Sequence, residues 1–351
     1  MYPAKQVLQW KPLQVQKKTM EAKIVDIEYY LPGSVLSNID LQKEFPDWDN
    51  ESFEKKVGIR QRHIAGENET ALDLAYQAAE KVLAGKDKDS IDYILFCTQS
   101  PDYFLPTGAC ILQDRLGLRK NIGALDFNLG CSGFVYGLSL AKGLVKGEVA
   151  KKVLLITAET YSKHIHPKDK TNRSIFGDGA AATIIAASEI TQIGQFNLGT
   201  DGSGADKLIV KNGGFRCSYD KNATLKSYGD NNLYSDNELY MNGPDIFNFT
   251  IDTIPNVVNE TLAINQFKID EIDYFVFHQA NAFMLNFLRK KLKIKKDKFH
   301  IELKDTGNTV SATIPIALHQ AIKNKKVKRG DNIMLVGFGV GLSWGATIIK
   351  L

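Results

Sequence analysis

No apolar run in this 351-residue chain approaches the ~20 residues that a membrane-spanning helix needs, so membrane insertion is not expected. Cysteine is scarce. The four present, Cys97, Cys110, Cys131 and Cys217, show neither a C-x-x-C pair nor the Cys/His spacing of a zinc site, and no metal centre is expected. Without a secretory apolar segment, these thiols are expected to be reduced, in a cytoplasmic protein. Charge of one sign is barely in excess. The 44 Lys and Arg residues face 40 Asp and Glu, a formal net charge of +4, which argues against a face built to bind nucleic acid. Proline and glycine, at 10 and 28, are no more frequent than in globular chains, which excludes fibrous and low-complexity classes.

What is there suffices for a large buried core. Hydrophobic residues make up 44% of the chain and charged residues 24%, values of an ordered protein with one two-part core or two domains. Residues 1–19 precede a second methionine, Met20. They read as a natural extension or a remnant of an engineered terminus, expected to be disordered and given no role. Strand-like runs follow at "AKIVDIEYYL" (Ala22), "IDYILFCTQ" (Ile91), "NIGALDFNL" (Asn121), "KKVLLITAE" (Lys151) and "AAATIIAAS" (Ala180), with helical patterns at Glu69, at Thr107 and after Cys131. The second part repeats the alternation, from "IGQFNLGTDG" (Ile193) to the closing "DNIMLVGFGVG" and "WGATIIKL". A strand beginning "IDY" occurs in both parts, at Ile91 and Ile272, a weak internal echo. The pattern predicts an α/β protein with a mostly parallel, covered sheet and two duplicated halves, 20–190 and 191–351.

Four segments carry residue types suited to chemistry. In "LGCSGFVYGL", Cys131 sits where a strand gives way to a helix, a place where unpaired N–H groups and the helix dipole favour a thiolate. The plain alternative is a small buried hydrophobe. In "FVFHQAN", His278 ends an apolar strand, and open α/β sheets place their sites at carboxyl ends of strands. Of the six histidines, His278 and His63 have the most apolar or structured neighbourhoods, whereas His164, His166, His300 and His319 read as surface or helix residues. In "KDTGNTVSATIPIAL", Asn308 is either a turn or cap residue or an N–H2 donor aimed into a cleft. "GFGVGLSWG", from Gly337, allows the close backbone approach that an oxyanion hole requires, and the strand that follows it argues against dinucleotide binding.

Taken in order, "GIRQRHIA", "CSGFVYGL", "IFGDGAAATII", "HQAN", "GNT" and "GFGVGLSWGATII" resemble the β-ketoacyl-acyl carrier protein synthase III family of the thiolase superfamily, over most of residues 20–351. The resemblance implies a thiolase-like fold, two α/β halves stacked as a five-layered α-β-α-β-α core, in a homodimer. It implies that Cys131 attacks the thioester of an acyl-CoA, with the backbone N–H groups of Cys131 and Val340 holding the oxyanion. It implies that His278, through Nε2–H, and Asn308 hold the enolate left when a malonyl thioester on acyl carrier protein loses CO2, giving a 3-oxoacyl product. No metal or redox cofactor is implied. Decarboxylation-free thiolases would carry a second cysteine where Gly337, Phe338 and Gly339 stand, and hydroxymethylglutaryl-CoA synthases a glutamate near Gln99.

The substrate sites depart from the family pattern. Where an adenine-contacting Trp and Arg are usual, Ser52 or Phe53 and Lys56 stand; a second CoA-contacting Arg falls on Lys170 or Arg173. The basic run "RKKLKIKKDK", with Arg289, Lys290, Lys291 and Lys293, is either a solvated surface or a dock for an acidic carrier protein. Leu342, Phe104 and the Cys110 region are candidate acyl-pocket contributors. Two other readings are carried: transfer of the acyl group to an oxygen or nitrogen nucleophile, and a catalytically silent partner subunit, against which the intact Cys131, His278 and Asn308 set argues.

Overall fold

Nine strands form two sheets in a computed structural model that describes residues 20–229 and 231–351. The extension 1–19 lies outside the described residues. The first sheet contains β1 (Glu21–Tyr30), β2 (Tyr93–Cys97), β3 (Gly123–Phe127), β4 (Lys152–Glu159) and β5 (Gly179–Ser188), in the order β1-β5-β4-β2-β3. The second contains β6 (Ile193–Thr200), β7 (Tyr274–Phe277), β8 (Asn332–Gly339) and β9 (Ser343–Lys350), in the order β6-β9-β8-β7. Beyond β7 a parallel bridge from Phe275 to Phe299 takes the place that β3 holds in the first sheet. The senses also match: the first two pairings of each order are antiparallel and the rest parallel. The sheets are therefore mixed, not mostly parallel. β8 turns directly into β9, and the β4–β5 connection holds only short helical pieces, so neither link carries the chain back across the sheet as a parallel pair demands.

The echo at "IDY" has a structural counterpart. Asp92 exchanges backbone contacts with Lys152 and accepts the N–H groups of Lys151 and Lys152 at 2.7 and 2.9 Å; Asp273 pairs with Asn332 in the same way, accepting its N–H at 2.8 Å. Each carboxylate thus fixes the start of two neighbouring parallel strands.

Six helices complete the layers: α1 (Ala71–Leu83), α2 (Gly108–Arg115), α3 (Gly133–Lys146), α4 (Gly243–Ile264), α5 (Ala282–Lys291) and α6 (Thr313–Lys323). α1 starts in a capping box, Thr70 with Asp73, and α2 is capped from the end of β3, where Asp126 accepts the N–H groups of Gly108 and Ala109 at 2.6 and 2.7 Å. α1 and α2 cover the outside of the first sheet, and α4 packs on the second with α5 beside it. α3 and α6 lie between the sheets and touch both, burying Phe134, Leu138, Ile314 and Leu318 with Leu95, Val276 and Leu335. The five layers α-β-α-β-α are those expected. Both central helices begin at the carboxyl ends of parallel strands, and there the candidate residues gather.

Candidate active site

Cys131 stands one residue before the cap of α3, since Ser132 is the cap and Gly133 the first helical residue. The thiol is thus just outside the first turn rather than within it. Its surroundings demand small neighbours. A methyl group on Gly130 would come within 2.6 Å of Gln99 Oε1 and Val340 Cγ1, one on Gly133 within 2.4 Å of Cys97 Sγ, and one on Gly339 within 2.8 Å of both Sγ and Cβ of Cys131. Burial pushes the Cys131 thiol up to about 12, although the N–H groups of Val340 and of Cys131 itself reach the sulfur and pull the other way. The expected thiolate, stabilised by the helix, is corrected by this: with 5% of the residue exposed, desolvation outweighs the N–H groups.

His278 follows β7, and its N–H donates to Val336 O at 2.8 Å, continuing the parallel ladder by one step. The side chain is buried. Nδ1 lies 2.7 Å from Thr313 Oγ1, the first residue of α6, and the ring meets Phe338 edge-on at 5.6 Å. Burial lowers its pKa to about 3, so the imidazole is neutral at neutral pH.

Asn308 is anchored from both sides by the "IFGDG" segment. Its N–H donates to Ile175 O at 2.9 Å and its carbonyl accepts from Gly177 at 3.0 Å, in a parallel bridge with Phe176. Gly307 precedes it at φ +65°, where a methyl group would fall 2.9 Å from Ile175 O, so glycine is required. Asn308 Oδ1 accepts the N–H of Val310 at 2.9 Å, which leaves the N–H2 group as its free donor end. Val310 makes that bond from φ +55°, a costly conformation for a β-branched residue. Val340, by contrast, avoids positive φ, which falls on its neighbours Gly339 and Gly341.

These residues meet in one place. Val310 Cγ1 would touch a methyl group on Gly130 at 3.3 Å, Gly339 abuts Cys131, and Phe338 joins Gly339 to His278. Val310, Phe338, Phe176 and Cys131 share one apolar cluster with Leu342. Phe104, 75% exposed and packed on Phe215, and the exposed Cys110 lie on the outer surface of the chain, away from that cluster.

The candidate CoA contacts Arg173 and Phe53 are joined through Phe45, which Arg173 overlies at 5.8 Å, and Trp48. Phe53 packs on Trp48 at 5.0 Å between centroids, and Lys56 lies 5.4 Å from the ring centre of Phe283. Arg173 grips Glu44 through both of its terminal nitrogens, at 2.6 and 3.0 Å, while Lys170 opens the same short helix, Lys170–Ile175. In the basic run, Arg289 donates to Ile294 O and closes its own helix, Lys291 donates to Ile251 O, and Lys290 and Lys293 are exposed. His300 is fully buried with Nδ1 3.2 Å from Tyr274 OH, not a surface residue, because its N–H extends the bridge beyond β7.

Three residues escape sequence reasoning: Thr313, Tyr161 and Glu159. Tyr161 is buried against Phe176 at 5.2 Å and donates to Gln99 Oε1 at 2.9 Å. Glu159 ends the apolar run "LLITAE", and an acid closing so buried a strand was the available signal.

Two family profiles match, "3-Oxoacyl-[acyl-carrier-protein (ACP)] synthase III" over residues 125–202 and its C-terminal counterpart over residues 262–351. A β-ketoacyl-[acyl-carrier-protein] synthase III of Clostridium perfringens is 39% identical over 333 residues, covering 94% of this chain and 99% of the relative. One of Xanthomonas oryzae pv. oryzae is 36% identical over 335 residues, 95% and 99% of the two chains. Among solved structures, a 3-oxoacyl-(acyl-carrier-protein) synthase III superposes with a TM-score of 0.93 at 48% identity, covering 94% of this chain and all of the other. That of Burkholderia xenovorans gives 0.87 at 34%, covering 94% of each.

Proposed function

The chain belongs to the 3-oxoacyl-[acyl-carrier-protein] synthase III family, and on that premise we propose that it condenses an acyl group taken from an acyl-CoA with malonyl-acyl carrier protein, through an acyl-Cys131 intermediate. The observation that carries the reading is the close approach of the glycine turn at Gly339, next to Val340, to Cys131 Sγ, beside a His278 and Asn308 pair fixed by Thr313 and Val310. In the first step the sulfur attacks the thioester carbonyl, the Val340 and Cys131 N–H groups receive the developing oxyanion, and CoA leaves as its thiol. In the second, the malonyl C–C bond breaks, CO2 departs, and the electron pair passes into an enolate. The Asn308 N–H2 group donates to the enolate oxygen. Thr313 Oγ1 lies 2.7 Å from His278 Nδ1 and 3.0 Å from Val310 O, which also accepts the Thr313 N–H; in the proposed tautomer the hydroxyl hydrogen is on the shorter contact, to Nδ1, and the imidazole hydrogen is on Nε2 as the second donor. The enolate carbon then attacks the acyl carbonyl, the C–S bond to Cys131 breaks, and the thiolate released takes up a proton from solvent to restore the thiol. As written, these steps balance without a metal or redox cofactor.

Lys56, Lys170 and Phe53 are the proposed contacts for CoA, with Arg173 holding Glu44 instead. For the acidic carrier protein, Lys290 and Lys293 are the proposed contacts, beside the exposed rings of Phe283 and Phe287 on α5. A homodimer fits the exposed Leu125 on the edge strand β3 and the exposed loop residues Tyr103, Phe104 and Leu105. No helix among the described residues is long and apolar enough to cross a membrane.

The test is incubation with a panel of acyl-CoAs, followed by mass spectrometry of the Cys131 peptide and addition of malonyl-carrier protein. An adduct on Cys131, lost in Cys131→Ala, and a 3-oxoacyl product with release of CO2 are expected. Acylation of an added alcohol or amine in place of condensation would overturn the reading, as would the absence of any adduct. Charge reversal at Lys290 and Lys293 should raise KM for malonyl-carrier protein several-fold and leave the adduct rate from acyl-CoA unchanged.

A further inference from the structure

Beside the nucleophile stands a polar wall that the reaction does not use. Tyr161, Gln99 and Asn128 follow the carboxyl ends of three neighbouring parallel strands, β4, β2 and β3. Their side chains form one hydrogen-bonded row. Tyr161 donates its hydroxyl to Gln99 Oε1 at 2.9 Å, and Gln99 Nε2 donates to Asn128 Oδ1 at 3.0 Å. The Gln99 backbone is fixed as well, since the buried Glu159 carboxylate accepts its N–H at 3.0 Å. With Nε2 turned to Asn128, the amide oxygen faces Gly130, the residue before Cys131. A methyl group on Gly130 would lie 2.6 Å from Gln99 Oε1 and from Val340 Cγ1, and 3.3 Å from Val310 Cγ1.

Neither Gln99 nor Tyr161 is free to swing aside. Tyr161 is 4% exposed, its ring lies 5.2 Å from that of Phe176 and 5.7 Å from that of His164, and Phe176 is itself bridged to Asn308. It shares one apolar cluster with Cys131, Val310, Phe338 and Leu342. Burial first, then the charges of Cys131 and Glu159, push the Tyr161 phenol upward, so it remains a hydroxyl at neutral pH. Gln99 is only partly buried. Among the described residues its Oε1 accepts one hydrogen bond, and a carbonyl oxygen has room for two.

Building on the reading of Cys131 as the acyl acceptor, we propose that Gln99 and Tyr161 are specificity-determining residues that select a short acyl group carrying a hydroxyl near its carbonyl, with that hydroxyl donating to Gln99 Oε1. A plain alkyl chain laid on this row takes water from the amide oxygen and returns no donor, a cost that the hydroxylated chain avoids. A long chain needs room that Val310, Val340 and the wedged Tyr161 ring already occupy.

The test is the rate at which the Cys131 peptide gains the acyl mass from butyryl-CoA, 3-hydroxybutyryl-CoA and octanoyl-CoA, each below saturation. The hydroxylated donor should acylate Cys131 about fivefold to tenfold faster than butyryl-CoA, the worth of one hydrogen bond, and octanoyl-CoA at least tenfold more slowly than butyryl-CoA. Gln99→Met keeps the length of the side chain, removes the oxygen and should bring the two four-carbon donors to equal rates or favour butyryl-CoA. Tyr161→Leu removes the ring and should raise the octanoyl rate relative to the butyryl rate about tenfold. That variant and the ratios of the unmodified protein decide the matter if Gln99→Met fails to fold. Equal rates for the two four-carbon donors in the unmodified protein, octanoyl-CoA as the fastest donor, or a ratio unmoved in folded Gln99→Met overturn the proposal. Adducts formed without preference sink this inference alone; no adduct from any donor sinks the function instead.

Discussion

Replacing Asn308 by aspartate changes one atom's chemistry and almost nothing else. The backbone ties to Ile175 and Gly177 do not involve the side chain, and the Val310 N–H, now 2.9 Å from Oδ1, would hold a carboxylate oxygen equally well. The second oxygen then takes the place of the N–H2 group, so a donor to the enolate becomes an acceptor. Loss of one preorganised donor costs about 2.7–4 kcal/mol, or roughly 10²–10³-fold. Facing the enolate with a negative charge adds to this, and condensation should fall by at least ~10³-fold. Acylation of Cys131 draws on the Val340 and Cys131 N–H groups and should stay within about threefold of the original. The pH dependence carries a second check. Burial raises the pKa of the new carboxyl, and below that pKa it is protonated and again has a hydrogen to donate, so the deficit in condensation should shrink as pH is lowered. Single-turnover mass spectrometry resolves both steps in one sample: the acyl-Cys131 peptide accumulates while 3-oxoacyl product does not. Equal losses in the two steps, or a deficit independent of pH, would refute the assignment of Asn308 to the enolate.

Gly339→Ala would set a methyl group 2.8 Å from Cys131 Sγ, a distance that forces the thiol aside; adduct formation should drop about 100-fold while the unfolding temperature moves by a few degrees, and an undiminished adduct rate would count against the geometry. Arg62 is fully buried and donates to Leu36 O, Asn38 Oδ1 and Ser174 O; Arg62→Met leaves all three acceptors unserved and should lower the unfolding free energy by about 3–5 kcal/mol in urea titration, whereas an unchanged midpoint would contradict that role. Burial lowers the pKa of His300 to about 4, below its unfolded value, so its contribution is present above the unfolded pKa and lost as pH falls toward the folded one. Relative to His300→Gln, the unmodified protein should lose about 3 kcal/mol between neutral pH and pH ~4, and parallel urea midpoints across that range would exclude it.

Much of this was legible in the order of residues. The strand-like runs are strands because apolar residues bounded by Gly, Asn and Asp leave few other states, and the helices start where Thr70, Asn242 and Asn281 cap them. Cys131, His278 and Asn308 could be singled out because each ends a strand or precedes a helix in a Gly-rich turn. What escaped was set by tertiary contact. Thr313 matters only because α6 brings its hydroxyl to His278, 35 residues away in sequence. The thiol's direction of titration escaped for the same reason: a helix start is visible in sequence, whereas the desolvation that overrides it comes from the apolar cluster that Cys131 shares with Val310 and Phe338. Arg173 looked free for phosphate until Glu44, 129 residues away, was seen to hold it.

The repetition of the two halves explains why chemistry collects at this point. In each sheet the parallel strands open at their carboxyl ends onto a central helix, α3 in one half and α6 in the other. The residues just before α3 are Cys131 and Ser132; those just before α6 run from Asn308 to Ala312. The nucleophile and the amide donor thus come from equivalent junctions, and the Ser132 and Ser343 hydroxyls, 2.8 Å apart, join the first junction to the β8–β9 turn. The "IFGDG" segment completes the lock from the first half, since Ile175 and Gly177 bracket Asn308 while Asp178 accepts from Ala65 and Ser162. A duplicated fold of this kind supplies two strand-to-helix junctions facing one another. In the proposed reaction, unequal residues at those equivalent places, a thiol at one and an amide at the other, would supply the acyl acceptor from one half and the enolate's donor from the other.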